Sequence, residues 1–181
     1  MKFTLSWLKQ HLETNSDTET ILKKLTNIGL EVEESYNPSE ALNGFIAAKI
    51  LSIKPHPDAD RLQLCLIDTG AEKIEVVCGA KNAKEGLTTI YAPIGSIIPE
   101  SGMKLKKAKI RGIESLGMLC SEKELNLGNN SEGITELSEQ INPGTPISQA
   151  LDINDTYIEI AITPNRPDCL GVRGIARYLP S

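Results

Sequence analysis

A histidine and two aspartates occupy alternate positions in the stretch KPHPDADRL, residues 54–62. In an extended chain, His56, Asp58 and Asp60 would all point to the same side. An imidazole and two carboxylates on one face could bind a metal ion or carry out acid–base chemistry. Such a site needs further ligands or a nucleophile close by, and the only other histidine of the chain is His11.

The prolines around His56 favour a structural interpretation of the same stretch. Pro55 and Pro57 fix φ, and each disfavours helix in the residue before it. Asp58 and Asp60 suit a turn, because an aspartate side chain accepts hydrogen bonds from backbone amides two or three residues on. We therefore interpret the stretch as a stiffened bend between two strands. No catalytic residue and no metal ligand is predicted in the chain.

Positive charge is concentrated in the basic segment, KLKKAKIR, residues 104–111. Its cations are Lys104, Lys106, Lys107, Lys109 and Arg111. Of the 19 Lys and Arg residues of the chain, the other 14 lie outside this segment, against 24 Asp and Glu residues, a balance of −10. The overall net charge of −5 therefore conceals one strongly basic strip.

Alternation within the basic segment predicts a strand with two basic faces. Lys107, Lys109 and Arg111 would share one face, with Ala108 and Ile110 pointing inward. The change of parity after Lys106 predicts a bulge or bend there. Such a strip could neutralise the phosphates of a nucleic acid. The alternative is a solvated edge strand whose lysines oppose aggregation.

The four cysteines are predicted to be structural thiols. No C-x-x-C pair occurs, so neither a zinc ribbon nor a redox motif is indicated. Three of them, Cys65, Cys78 and Cys120, lie in apolar runs, where a free cysteine behaves as a small buried hydrophobe. Beside Cys120, the spacing of Ser121 and Glu124 predicts a capping box that opens a helical turn, rather than a nucleophile beside an acid.

Three regions with different patterns of apolar and turn-forming residues follow one another along the chain. The first, residues 1–39, has a helical pattern, with Ser16 and Glu19 at capping-box spacing. Residues 40–149 contain short apolar runs closed by Gly, Pro or Asp about a dozen residues apart, which predicts a small all-β barrel or sandwich. Residues 150–181 contain one alternating strand and one helix. Because the two flanks are small, we infer that they form one split α/β domain into which the β domain is inserted.

Nothing in the composition predicts export or membrane insertion. The start of the chain has no apolar signal core, and no run approaches the ~20 apolar residues of a membrane span. We expect a cytoplasmic protein with no membrane partner.

Six motifs are spread along nearly the whole chain. The two flanks contain MKFTLSWLKQHL, IGLEVE and ITPNRPDCLGVRGIARYL, and the middle contains AKILSIKPHPDADRLQLCLIDTG, IEVVCGAKN and KIRGIESLGMLCSEKELNLG. The flanks resemble the N-terminal region of the β subunits of bacterial phenylalanyl-tRNA synthetase, and the middle resembles the tRNA-binding domain of that subunit. Related domains occur in some methionyl-tRNA synthetases and in free-standing tRNA-binding proteins. The TPNRPDCLGVRGIAR motif narrows the resemblance to the one family.

This resemblance implies an α+β fold with a five-stranded OB-fold β-barrel inserted into the split domain. It also implies that the synthetic active site belongs to the α subunit and that the editing site lies downstream of this region. The chain would then be an N-terminal fragment that holds no cofactor, with ATP and magnesium needed only by the full ligase. The implied partners are tRNA and, in the heterotetramer, the α subunit.

The expected tRNA-contacting residues are the five cations of the basic segment and Ser121, with Glu122 as a weaker candidate. Aromatic residues are scarce in the β region, where Phe45 and Tyr91 stand alone, so recognition of folded RNA by shape and phosphate is favoured over base stacking. In the last motif Arg166 could also meet RNA, but Asp168 is close enough to neutralise it. The rival function is a scaffold that docks domains and has little RNA contact of its own.

Overall fold

The computed structural model describes residues 1–179, and the chain divides into two compact units. One unit combines residues 1–38 with the chain from Ile153 onward, and the other spans residues 39–152. The sequence-based boundaries were 39/40 and 149/150. The last two residues of the third predicted segment, Pro180 and Ser181, lie outside the described residues.

The first unit contains both short strands and helices, and strands dominate the second. The strands are β1 Lys2–Thr4, β2 Val32–Tyr36, β3 Ile46–His56, β4 Ala59–Asp68, β5 Lys73–Cys78, β6 Thr88–Ala92, β7 Ala108–Ile110, β8 Ile113–Ser115, β9 Met118–Leu119 and β10 Tyr157–Ile160. The helices are α1 Leu5–Lys9, α2 Thr18–Asn27, α3 Pro38–Ala41, α4 Ile147–Ala150 and α5 Val172–Ala176, with a 3-10 turn at Pro167–Cys169. In the part of the chain that is described, no helix is long and apolar enough to span a membrane.

The first unit is built from both ends of the chain. Its antiparallel sheet has the order β1-β10-β2, so the C-terminal strand lies between two N-terminal ones. One hydrophobic core contains Leu8 and Leu25 from the N-terminal segment and Ile158 and Ile175 from the C-terminal segment. Neither segment has enough apolar surface to form this core alone.

Helix α2 begins and ends with side-chain and backbone caps. Its N-cap is Asp17, whose carboxylate accepts a hydrogen bond of 2.7 Å from the Thr20 amide. The predicted Ser16 cap is wrong by one residue, and the Glu19 side chain pairs instead with Lys23 at 2.7 Å. At the other end, Gly29 has a φ of 85°, which glycine adopts without strain, and the predicted helix stop is confirmed.

Arg166 has a structural place in the first unit. Its guanidinium donates to the Ile28 carbonyl at 3.2 Å and pairs with Asp168 at 3.3 Å. It also lies over the Tyr178 ring, 4.7 Å from the ring centre. The nearby Gly174 packs so tightly that an added Cβ would overlap the Asp168 carbonyl. The contacts of the Arg166 guanidinium thus lie within its own unit, which favours a structural role for this residue over an RNA contact.

The second unit contains a five-stranded antiparallel sheet of order β5-β4-β3-β6-β9 and a separate β7–β8 hairpin. Strands β3 and β4 are joined at a tight corner, where His56 pairs with Ala59. The interior is filled by apolar side chains such as Ile50, Ile67 and Val76. The mixed α and β composition with antiparallel sheets agrees with the coarse fold class predicted from the sequence.

We expect the substitution Asp17→Ala to lower the melting temperature and the helical ellipticity at pH 7. The amide of Thr20 lowers the pKa of the Asp17 carboxyl through its backbone hydrogen bond. This stabilisation is present above the ordinary pKa of 3.8 and is lost as the pH falls through the lowered value of the folded state. Thermal melts followed by circular dichroism should therefore show a difference from wild type that disappears in acid.

The matched control is Ser16→Ala, which removes the cap that the sequence pattern suggested. It should melt with the wild type at every pH. A larger effect of the Ser16 change than of the Asp17 change would contradict this assignment of the cap.

Candidate nucleic-acid interface

The basic segment runs into the β7–β8 hairpin, where Ala108 pairs with Ser115 and Ile110 with Ile113. Lys109 lies within β7, opposite Glu114 of β8. All five cations of the segment are exposed. The basic segment therefore presents its positive charges to solvent, with Lys109 and Arg111 in the hairpin and Lys104, Lys106 and Lys107 in the chain that leads into it.

Arg111 lies at the tip of this hairpin in an uncommon backbone conformation. Its φ is 47° and that of Gly112 is 88°, so both residues of the two-residue loop have positive φ. Positive φ at both positions is required by the tight hairpin turn whose twist matches that of the flanking strands. Glycine adopts it freely, whereas an arginine in this region costs roughly 1 kcal/mol.

A cleft of ≈ 460 Å³ opens beside the basic segment. Lys106, Ala108 and Ile110 line it, and Lys107 and Lys109 do not. Alternation is confirmed only within β7, where Ala108 and Ile110 line the cleft and Lys109 does not. The predicted strand does not extend back over residues 105–107, and the adjacent residues Leu105 and Lys106 both line the cleft. The prediction that Ala108 points inward is wrong in one respect, because this side chain lies at the open wall of the cleft and remains exposed.

The cations differ in how far they are already neutralised. Lys107 forms an ion pair of 2.9 Å with Glu114, and the Arg111 guanidinium donates to the Asp58 carbonyl at 3.4 Å. Within residues 1–179, none of the other three, Lys104, Lys106 and Lys109, takes part in an ion pair. Since exposed ion pairs contribute little, all five remain able to approach an anion.

His56 connects the corner between β3 and β4 to the β7–β8 hairpin. The imidazole is buried, with 4% of the residue exposed. Its Nδ1 accepts from the Asp58 amide at 3.1 Å, and its Nε2 lies 3.1 Å from the Ile110 carbonyl. A neutral imidazole protonated on Nε2 satisfies both contacts. The ring therefore has no free nitrogen for a metal ion or for proton transfer.

The two aspartates of the same stretch do not join His56 in a site. Asp58 and Asp60 are exposed. Among the residues that the structure describes, no group of three or more His, Cys, Asp or Glu side chains is arranged to hold a metal ion. The stretch is a corner, as its proline pattern indicates.

Ser121 is committed to the capping box that its spacing predicted. The Ser121 amide and hydroxyl donate to one carboxylate oxygen of Glu124 at 2.7 and 2.8 Å, and the Glu124 amide donates back to the hydroxyl at 3.3 Å. Only 7% of Ser121 is exposed, while Glu122 is half-buried. Ser121 and Glu124 both line the cleft.

Ser115 is a structural residue of this surface that the sequence analysis did not single out. It is buried, and its hydroxyl accepts from the Val77 amide at 3.1 Å and donates to the Gly117 carbonyl at 3.0 Å. These bonds join β8 to β5. The only local signal was a serine two residues before Gly117, whose φ of 119° excludes most side chains.

All four cysteines are free and buried, as predicted for structural thiols. Burial raises the pKa of the Cys120 thiol well above its ordinary value, which excludes it as a nucleophile. Cys78 differs from the others because it lines the cleft.

Residues 45–146 match the family model described as a putative tRNA-binding domain, which is more than half of the chain. The chain belongs to the tRNA-binding domain family. The match contains the whole basic segment, the cleft and His56.

The curated relatives extend the similarity beyond the tRNA-binding domain. A phenylalanine–tRNA ligase β subunit from Rhodospirillum rubrum is 51% identical over 179 residues, and one from Paramagnetospirillum magneticum is 52% identical over 179 residues. Each alignment covers 99% of this chain and 22% of the relative. The chain thus spans about a fifth of the length of these relatives. Among solved structures, a MetRS-related protein from Pyrococcus horikoshii is 20% identical, with a TM-score of 0.40 over 56% of this chain and 85% of that one.

We expect the substitution His56→Ala to lower the free energy of unfolding by about 1–3 kcal/mol, because it removes a buried imidazole and leaves the partly buried Asp58 amide and Ile110 carbonyl without this partner. Urea denaturation measures this change. Hydrogen exchange at the Asp58 amide should accelerate in the variant, since that amide loses its acceptor.

Asp60→Ala serves as the control from the same stretch and should unfold with the wild type. Zn²⁺ should leave the melting temperature of the wild type unchanged. A Zn²⁺-dependent rise that required His56 would instead indicate a metal site.

Proposed function

We propose that this chain is a non-catalytic tRNA-binding region of a phenylalanine–tRNA ligase β subunit, which helps to capture tRNA for aminoacylation in translation. The observation that carries the proposal is the basic segment, residues 104–111, which leads into the β7–β8 hairpin. It presents five exposed cations beside a cleft, in a chain that is otherwise acidic. Membership of the tRNA-binding domain family and the similarity to phenylalanine–tRNA ligase β subunits support the same conclusion.

We also propose that the second unit is an OB-fold barrel. The strand order β5-β4-β3-β6-β9 corresponds to the five barrel strands in the order three, two, one, four, five. Closure needs the two outer strands, β5 and β9, to approach each other, and they do lie in contact. The Leu116 amide, just before β9, donates to the Glu75 carbonyl of β5 at 3.3 Å. These contacts support a closed rather than an open sheet.

The proposed mechanism is electrostatic capture with little reading of sequence. Lys104, Lys106, Lys107, Lys109 and Arg111 would contact phosphates, and phosphate contacts hold a nucleic acid in position without identifying its bases. The cleft has apolar walls at Leu62, Ile110 and Met118, against which sugars or unpaired bases of a folded RNA would rest. With few polar groups to specify bases, the expected dissociation constant is on the order of micromolar or weaker at physiological salt.

Ser121 has an indirect role in this proposal. Its hydroxyl and amide are already bonded to Glu124, so it would shape the wall of the cleft instead of donating to RNA. This places the direct contacts on the five cations and treats the predicted contact of Ser121 as secondary.

The remaining functions of the ligase are assigned to parts of the enzyme outside this chain. Selection of phenylalanine, ATP and magnesium binding, and editing would belong to the α subunit and to the rest of the β subunit. A cytoplasmic location follows from a role in translation.

The acidic balance of −10 outside the basic segment favours one alternative, a domain-docking scaffold that repels RNA. The two functions differ in what happens when the hairpin loses its charge.

A titration with tRNA across a salt series tests the proposed function. For the triple variant in which Lys106, Lys107 and Lys109 are changed to Ala, we expect weaker binding and a log–log salt slope that is flatter by about two to three units. The reason is that a variant making fewer phosphate contacts releases fewer counterions when it binds tRNA. Fluorescence anisotropy with labelled tRNA provides the measurement.

The control is a second triple variant with the same loss of charge, in which Lys49, Lys73 and Lys84 are changed to Ala. These lysines are exposed and lie outside the basic segment and the cleft. The control should retain the wild-type slope to within one unit. Equal slopes in both variants, or no binding by the wild type at low salt, would favour the scaffold.

We further expect Glu114→Gln to strengthen tRNA binding by about two- to fivefold at low salt, since it removes the carboxylate that neutralises Lys107. The gain should vanish at high salt, where screening already weakens the pair. Glu139→Gln, which changes an exposed carboxylate outside the hairpin and the cleft, is the matched control. An identical effect of both changes would mean that net charge, not the hairpin, governs binding.

A further inference from the structure

Two buried cysteines, Cys65 and Cys78, lie on neighbouring strands beside the cleft. On neighbouring strands, Cys65 of β4 pairs with Val76, and Cys78 of β5 pairs with Gln63. Cys65 and Cys78 are therefore diagonal neighbours on one face of the sheet. The interaction of the two side chains raises the pKa of the Cys65 thiol and lowers that of Cys78.

Only one of the two sulfurs is reachable from the cleft. Cys78 lines the cleft and is 6% exposed, whereas Cys65 is 0% exposed. The Ala80 amide also donates to the Cys78 sulfur at 3.4 Å. Hydrogen bonds from Cys65 and Ala80 lower the pKa of the Cys78 thiol, and the same contact raises that of Cys65. Cys78 is thus the thiol that more readily becomes a thiolate, which is the nucleophilic form.

The other two cysteines lack this combination. Cys120 is fully buried, its nearest polar partner is the Met118 carbonyl at 3.9 Å, and burial raises its pKa. Cys169 is held between Arg166 and Asp168 in the other unit, and burial raises its pKa as well. Neither lines the cleft.

We propose that Cys78 is a modification site for small hydroperoxides, and that Cys65 converts the oxidised product into a disulfide between β4 and β5. In the first step the Cys78 thiolate attacks one peroxide oxygen and the O–O bond breaks. Cys78 becomes a sulfenic acid, and the hydroxide or alkoxide that leaves takes up a proton. In the second step the Cys65 sulfur attacks the sulfenic sulfur, the S–O bond breaks, and the hydroxide released combines with the thiol proton as water. Overall, two thiols are oxidised and one peroxide is reduced.

The position of Cys65 decides whether oxidised Cys78 ends as a reversible disulfide or is oxidised further and irreversibly. A sulfenic acid with no thiol nearby is open to further, irreversible oxidation. Here the second thiol lies on the adjacent strand and on the same face of the sheet, so a local shift of β4 against β5 would bring the two sulfurs to bonding distance. The bond would tether β4 to β5 beside the cleft and would be reversed by a dithiol. The inference does not depend on RNA binding, because it concerns the free protein.

Peptide mapping after treatment of the whole chain with hydrogen peroxide tests the proposal. Trypsin cuts after Arg61, Lys73 and Lys81, so Cys65 and Cys78 lie in separate peptides, residues 62–73 and 74–81. After alkylation of the remaining thiols, mass spectrometry should find these two peptides joined, with the loss of two hydrogen atoms. The link should disappear on reduction. Cys78 should be consumed at least about tenfold faster than Cys120.

Three variants separate the roles of the thiols. Cys65→Ala should leave Cys78 as a sulfenic acid that dimedone traps, whereas Cys78→Ala should leave Cys65 unreacted. Cys120→Ala is the control and should form the disulfide at the wild-type rate. The wild-type map decides the question even if a variant folds poorly. Absence of the joined peptides while Cys78 is oxidised, or faster oxidation of Cys120 than of Cys78, would overturn the proposal.

Discussion

The contact of the His56 ring with the Ile110 carbonyl is the interaction on which the placement of the basic hairpin depends. It joins residues that are 54 positions apart, and it brings a cation-bearing strand against a corner whose own geometry is stiffened by Pro55 and Pro57. The residues with the most reactive chemistry in the sequence thus perform a mechanical task. The residues with the plainest chemistry, the lysines, form the exposed surface that we propose meets a ligand.

The hairpin is secured on both of its strands. His56 bonds to β7, while Ser115 bonds β8 to the Val77 amide of β5. A charged projection held in this way loses little conformational freedom when an anion binds, because its backbone is already ordered. Because the chain outside the basic segment has a charge balance of −10, we expect a polyanion to be attracted to the segment more strongly than to the rest of the chain.

Local features of the fold were largely readable from the sequence, and long-range ones were not. The capping box of Ser121 and Glu124 depends only on spacing, and alternation placed Lys109 on the opposite face of β7 from Ala108 and Ile110. The N-cap of α2 was misplaced by one residue, since both Ser16 and Asp17 are good caps and only the backbone selects between them. The diagonal placement of Cys65 and Cys78 on neighbouring strands depends on strand register, and so does the bond from His56 to Ile110. The spacing of residues along the sequence does not reveal that register.

The left-handed conformation of Arg111 has a consequence for how this surface would change under selection. Asparagine and glycine adopt that conformation at lower cost, so arginine at the hairpin tip is unfavourable for the backbone alone. A library selected only for heat resistance should therefore drift towards Asn or Gly at this position. Selection for retention on an anionic polymer should keep the arginine. The residue recovered at position 111 would then show whether the surface had been selected for thermal stability or for binding of an anionic ligand.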